Sequence, residues 1–470
     1  MQNKKQIILS IIAIVTLAIL VIGASFAYFA AQGNTSAQTS ATVKTYTVDV
    51  FSFETGNPIS FSLNQENFAS GKGNQTGSTF AKAILTANNK TNTATEHYYM
   101  YLNISENTFT YTQNENTPEI LLTITDGTNP VTNITSLTYK TVTDGKGNSI
   151  SGYDITNKTG LITLFSNREI TTTSTKTENW NITVTFINYN ADQSKNAGNT
   201  FSGKVLIQKE KITLLADYVI SQYTGTQGDN GIYYHESSLA NGAGDNSYRY
   251  AGASDSVNNY ICLGSDVATC PDANLFRIIG VFGDKTKVIR AKSVGEQRWQ
   301  ISKDNTWSSS SLNTYLNGTY LTSLGTLADK IATTTWKVGG GKTANINGVV
   351  PKTAYQYEVG SSASTTTYDA KIGLMYVSDY GFAADQSGWT TKLSSYNSNT
   401  SKNWLYLGHD EYTISRDSDT TGSAFIVYSG YVLSYLVNNA TNGVRPTFNL
   451  NSSVTYVSGD GTQSNPIRIN

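Results

Sequence analysis

The stretch Trp180-Asn181-Ile182-Thr183-Val184-Thr185-Phe186-Ile187-Asn188 decides how the first half of the chain folds. Apolar side chains stand at 180, 182, 184 and 186 with polar ones between them. A period of two places one set on a buried sheet face and the other toward water. Working outward from it, comparable runs cover residues 43–53, 78–87, 98–104, 120–125, 161–165 and 201–207, each bounded by Gly, Asn or Asp. Asp126-Gly127 and Asp144-Gly145 supply turn chemistry between them. Seven strands at such spacing predict an all-β, two-sheet sandwich.

The N-terminus carries a different signal. Lys4 and Lys5 precede an uncharged run over residues 7–31, and no basic residue follows until Lys44. As a helix the run reaches roughly 37 Å, more than a hydrocarbon core of about 30 Å. The lysines hold the N-terminus in the cytoplasm and place the rest of the chain outside, a single-pass cell-membrane topology. Ser25 and Ala27 before Tyr28 also fit a cleaved export signal, which would make the chain a secreted protein. The expected domains are a cytoplasmic stub and transmembrane or signal helix (1–31), the stalk-like sandwich (32–210) and a second, α+β domain (211–470).

Bulk composition narrows the partners. Charged residues make up 14% of the chain against a usual value of about 25%. Lys and Arg (33) balance Asp and Glu (34), and no basic stripe occurs, which argues against nucleic acid as a partner. Two cysteines, Cys262 and Cys270, fall in the exported part, where a close pair is expected to form a disulfide clipping residues 263–269.

The second domain begins at the charge cluster Lys209-Glu210-Lys211. Thr213 is placed to cap a short helix over 214–222. Residues 275–282 and 287–291 predict a hairpin about Gly283-Asp284, with Arg277 on an otherwise apolar strand. A helix follows Trp307 with apolar residues from Leu312 to Leu324 and Gly318 as an interruption. Short strands are expected at 372–377, 411–415, 425–428 and 444–450.

Two motifs in this half carry a resemblance. Trp307-Ser308-Ser309-Ser310-Ser311-Leu312-Asn313-Thr314-Tyr315-Leu316-Asn317-Gly318 resembles the Trp, Ser-Ser-Leu-Arg, Leu-Asn helix of the uncharacterised bacterial surface domain DUF6273, with Asn313 where that pattern has Arg. Gly443-Val444-Arg445-Pro446-Thr447-Phe448-Asn449-Leu450 resembles its closing strand. The order of the pieces is similar to the C-type-lectin-like fold, which implies a rigid core presenting long polar loops. In the first half, Gly23-Ala24-Ser25-Phe26-Ala27-Tyr28-Phe29 and the strand Thr200-Phe201-Ser202-Gly203-Lys204-Val205 resemble the TasA/camelysin sandwich, which implies a secreted matrix or fibre component as an alternative.

Candidate chemistry is sparse. His97, His235 and His409 are scattered without metal-ligand spacing, so no catalytic residue, metal site or cofactor is assigned. An extracellular hydrolase built on His235 or His409 is a further alternative. Gly339-Gly340-Gly341-Lys342-Thr343 lacks the first glycine of a phosphate loop and reads as a flexible turn. Asp417 and Asp419 begin a calcium-loop pattern whose twelfth position is Tyr428 instead of Glu, a weak calcium candidate. The candidate ligand contacts are Tyr248, Tyr250, Tyr428, Tyr431 and Tyr435, whose rings stack on sugars or apolar groups, together with Arg416. The expected whole is a membrane-anchored, adhesin-like surface protein. It displays a non-catalytic domain for an extracellular glycan or protein ligand.

Overall fold

Strand Thr175–Phe186 is the centre of a sheet, as its alternation requires. The computed structural model describes residues 49–68, 72–88 and 92–470. On one side Thr175–Phe186 pairs antiparallel with Gln75–Thr86, which pairs in turn with Val50–Thr55. On the other it pairs with Ile120–Asp126, followed by Ser149–Asp154 and Tyr139–Thr143. A second sheet runs in the order Ile59–Ser62, Thr200–Gln208, Ala94–Asn107, Gly160–Thr172. Ile182, Val184 and Phe186 meet Met100, Leu102 and Phe201 of that second sheet in one buried core, so the two sheets form a sandwich. Trp180 closes one end of the core, donating from Nε1 to Tyr98 Oη at 2.9 Å.

Each strand expected among the described residues of this half is present, with ends shifted by up to seven residues. Four additional strands, Ile59–Ser62, Asn129–Pro130, Tyr139–Thr143 and Ser149–Asp154, are too short or carry too few apolar residues to declare themselves. Gly127 takes a positive φ of 59° in its hairpin turn. In the Asp144-Gly145 turn the left-handed residue is Gly147, at 84°. Asp144 organises that turn by accepting from the Lys146 and Asn148 amides.

The second half holds its own core, from Leu215 to Ile467. Its main sheet runs Thr213–Leu214, Thr455–Ser458, Ile467–Ile469, Tyr260–Cys262, Leu275–Phe282, Lys285–Arg290, Thr447–Leu450, Ile372–Gly373, with Ile232–Tyr234 and Tyr248–Tyr250 attached beside Leu275–Phe282. The beginning and end of this half are therefore neighbouring strands. A smaller sheet contains Glu296–Gln297, Asn442–Gly443, Glu411–Arg416, Ser423–Tyr428 and Tyr431–Leu436. Arg277 is buried on its strand. It donates to Asn259 Oδ1 (2.6 Å), Ser254 Oγ (2.7 Å) and Val257 O (3.0 Å), and lies between the rings of Tyr260 and Trp404.

Several local expectations are corrected. Thr213 is not a helix cap: it pairs with Tyr456, and the helix runs Leu215–Ser221. The strand expected at 372–377 ends at Gly373, because Tyr376 N donates to Asp379 Oδ2 (2.8 Å) and the helix Val377–Phe382 begins there. Gly318 sits in a π turn, Leu316–Tyr320, that widens the helix without ending it. The triple glycine is a packed element instead of a flexible turn. Gly341 bridges to Asp417, and Gly340 has a φ of 62°, with any added Cβ overlapping the Arg416 carbonyl oxygen.

Cys262 and Cys270 form the expected disulfide, with Cα atoms 5.8 Å apart. Arg468, from the last strand, also ties the clipped loop, donating to the carbonyls of Ser265 (2.8 Å), Val267 (2.8 Å) and Ala268 (2.9 Å). Residues 7–31 lie outside the described residues, and among the described residues no helix is long and apolar enough to cross a membrane.

Closing so short a loop stabilises by about 2 kcal/mol in the chain-entropy account. The double variant Cys262→Ser/Cys270→Ser is expected to lose about that much in urea unfolding. Its amide protection should fall over residues 263–269 and hold in strand Leu275–Phe282. Loss of protection across the whole sheet would show the bridge to be a scaffold and not a loop clip.

Candidate functional site

Strands and helices of the second half converge on a cleft of about 250 Å³. Strand Tyr248–Tyr250 brings Arg249, strand Lys285–Arg290 brings Lys287, and helix Val377–Phe382 brings Asp379. Helix Pro351–Glu358 contributes Tyr355 and strand Thr334–Lys337 contributes Trp336 and Lys337. Phe282 and Tyr376 complete the aromatic wall.

The floor is ionic. Lys287 Nζ donates to Asp379 Oδ2 at 2.5 Å, both side chains being at least 94% buried. Arg249 donates from Nη2 to Asp245 Oδ2 (2.6 Å) and from Nε to Ser247 Oγ (2.8 Å). Its Nη1 stands 3.8 Å from Asp379 Oδ1, outside hydrogen-bond reach. Both cations also lie against rings: Arg249 is 4.6 Å from the Phe282 centroid and Lys287 4.7 Å from that of Tyr376.

Behind the floor, Glu358 accepts from Val377 N (2.9 Å), Ser378 N (2.7 Å) and the Ser415 hydroxyl. Burial raises its pKa in spite of those donors. Burial lowers the pKa of Lys287, against the pull of Asp379. For Asp245 burial acts upward, but the Arg249 charge and the Ser247 donors outweigh it and hold the group at about 2.

The residues expected from sequence have separate fates. Tyr428, Tyr431 and Tyr435 do share a half-buried aromatic face on the Ser423–Tyr428/Tyr431–Leu436 hairpin, with Tyr428 5.6 Å from Tyr431 and 6.3 Å from Tyr435. Tyr248 stacks on Tyr234 at 4.6 Å. Tyr250 is 2% exposed in the core and presents no contact surface, a correction. Arg416 donates to Gly339 O (2.9 Å) and approaches Asn305 Oδ1 (3.5 Å), which fastens the triple glycine.

The calcium candidates Asp417 and Asp419 are engaged within the protein. The Asp417 carboxylate accepts from Ser434 Oγ (2.5 Å), Thr343 Oγ1 (3.1 Å) and Asp419 N (2.9 Å), and Asp419 Oδ2 accepts from Thr343 N (2.9 Å). These oxygens are held by protein donors, and no group of three or more metal-ligating side chains occurs among the described residues.

His235 is fully buried, accepts at Nδ1 from Ala243 N (3.0 Å), and lies 4.9 Å from Phe382 and 5.0 Å from Trp389. Burial, and then the Arg249 charge, press its pKa well below the usual histidine value, so the ring is neutral. His409 is at the surface, 3.8 Å from Glu411 Oε1.

A larger groove of about 950 Å³ opens on the sandwich between residues 129–136 and strand Gly160–Thr172. Two of its charges pair with each other: Arg168 binds Glu178 through two bonds of 2.9 and 3.2 Å and covers Trp180, while Tyr98 donates to the same carboxylate at 2.6 Å. The smaller cleft is the better candidate because its cations are buried and retain unused donors. Sequence reading named none of Asp245, Lys287, Trp336, Tyr355 or Asp379. Strand Lys285–Arg290 reads Lys-Thr-Lys-Val-Ile-Arg, so Lys287 does not stand out from its neighbours as a buried charge. Comparison with protein-family models, with curated proteins and with solved structures finds no match to this chain.

Acid titration separates two of these groups. The stability that Asp245 contributes is complete above its ordinary value of 3.8 and is lost as pH falls toward about 2. Its size is on the order of 2 kcal/mol. His235, neutral in the fold, costs stability as pH falls below its ordinary 6.5, since only the unfolded chain gains the proton there. Urea unfolding from pH 7 to pH 2.5 should therefore show two declines. His235→Gln should flatten the first and Asp245→Asn the second, and an unchanged slope in either variant would refute that assignment.

Proposed function

We propose that the chain is a surface protein whose C-terminal half binds an extracellular ligand in the aromatic, ion-floored cleft, displayed on the sandwich and held to the cell membrane through residues 7–31. The cleft carries this reading: four charged side chains are fixed in place by folding, beneath walls of Phe282, Tyr355 and Tyr376. Small-ligand sites combine mostly apolar walls with a few oriented polar groups in this way. The charges neutralise one another in pairs, an arrangement suited to holding a ligand and not to activating a nucleophile. The resemblance of the Trp307 helix and the Arg445 strand to DUF6273, and the similarity in layout to C-type-lectin-like domains, agree with a binding module.

A glycan and extracellular-matrix array probed with the full chain tests the binding. Tyr355→Ala removes one wall from a half-buried position and should weaken the signal at least tenfold with the thermal midpoint nearly unchanged, whereas Tyr435→Ala on the hairpin should leave it. Silence on the whole array counts against the reading. Loss in Tyr435→Ala alone moves the site to the tyrosine face. For the anchor, protease treatment of intact cells is expected to release the folded remainder of the chain, leaving residues 1–31 in the membrane fraction. Protein fully resistant until lysis would place the chain inside.

A further inference from the structure

Resting on the binding reading, we propose that the cleft recognises one carboxylate group, carried on a small ring or other flat body. Lys287 has three ammonium protons and gives one to Asp379. Arg249 has five N–H groups, of which Nε and one on Nη2 are engaged by Ser247 and Asp245. Its Nη1 makes no hydrogen bond, Asp379 Oδ1 standing 3.8 Å away. Two cations of the lining, brought together by the same aspartate, therefore keep donors without a protein partner.

The acceptors are more fully occupied. Asp245 accepts from Arg249 through Oδ2 and from the Ser247 amide (3.1 Å) and hydroxyl (2.6 Å) through Oδ1. Asp379 Oδ2 accepts from both Lys287 and Tyr376 N. Among the lining residues three cations, Arg249, Lys287 and Lys337, face two carboxylates, Asp245 and Asp379. Counted over the lining alone, with Glu358 one layer behind left out, the excess is a single positive charge, which one carboxylate on the ligand balances. Planar guanidinium and carboxylate match in geometry. Phe282 and Tyr355, both half-buried, carry the Arg249 guanidinium against their rings at 4.6 and 5.3 Å, and the ring surface it leaves uncovered is offered to the body of the ligand. At about 250 Å³ the cleft holds a small molecule or one terminal unit of a larger chain.

One carboxylate chemistry has several sources, and the test separates them. Full-length protein in mild detergent is titrated calorimetrically with phenylacetate, glucuronate and a short peptide ending in a free tyrosine carboxylate. Each is paired with its uncharged counterpart: phenylacetamide, glucose and the amidated peptide. At least one acid should bind tenfold or more tightly than its counterpart, and the acid that does so names the source. Lys337→Gln, at the half-buried rim, should reduce that preference about threefold, and Arg249→Gln should abolish it. Arg249→Gln is read only if its circular dichroism matches the parent, so Lys337→Gln keeps the test decisive. Equal affinity for acid and neutral forms, no heat from any acid, or tighter binding of inorganic phosphate than of every acid would overturn the proposal. If the array signal persists in any of those cases, the binding function stands and only the ligand class falls.

Discussion

Asp379 is the side chain on which the C-terminal half depends. It is 3% exposed, and its carboxylate holds Lys287 from the central hairpin, the amide of Tyr376 that opens its own helix, and the near edge of Arg249. Removing one partner of a buried ion pair leaves an uncompensated charge, at a cost of about 3–5 kcal/mol. Helix Val377–Phe382, strand Lys285–Arg290 and strand Tyr248–Tyr250 are therefore fixed relative to one another by charge as well as by packing. Glu358 repeats the logic one layer behind, taking the next two amides of the same helix turn and joining it to Ser415.

The sandwich was largely legible in sequence because its information is local. Trp180, Ile182, Val184 and Phe186 announce a half-buried strand within seven residues, and the sheet partners each carry the same signal. Where the signal failed, the physical cause is plain. Tyr139–Thr143 is a half-exposed edge with no apolar face to read. Thr213 looked like a cap because hydroxyls before apolar runs commonly are, yet a strand partner 243 residues later claims its backbone. Residues 374–377 looked like strand because Leu374, Met375, Tyr376 and Val377 are apolar, but Asp379 accepts the Tyr376 amide and starts a helix. Tertiary context overrode propensity at both places.

The site was much less legible, and for the opposite reason. Its lining runs from Asp245 to Asn449, and no two of Asp245, Lys287, Trp336, Tyr355 and Asp379 are neighbours in sequence. Sequence reading looked for polar loops rich in tyrosine and found three that do cluster, Tyr428, Tyr431 and Tyr435. It also chose Tyr250, which alternation along a three-residue strand turned into the core. Two glycine- and aspartate-rich motifs that resembled ligand loops turned out to satisfy each other. The triple glycine lets its backbone approach Arg416 and Asp417, and Thr343 at its end donates to Asp417 and Asp419.

Energetics separates the cleft's floor from its frame. Replacing a buried ion pair by apolar residues of similar volume is commonly neutral or stabilising, so stability alone does not call for Lys287, Asp379, Arg249 and Asp245 in one place. Elsewhere in this half the problem is solved more simply: Arg277 is buried against neutral acceptors and two rings. At the cleft the charges instead line an open volume. Their desolvation is completed during folding, and their positions are held by partners on three elements. A ligand arriving there meets donors that neither reorient nor shed a full water shell, which is the condition under which a few polar contacts give selective binding. On the proposed binding reading, the floor is explained by what it presents to the lumen, and the frame by the packing that keeps it still.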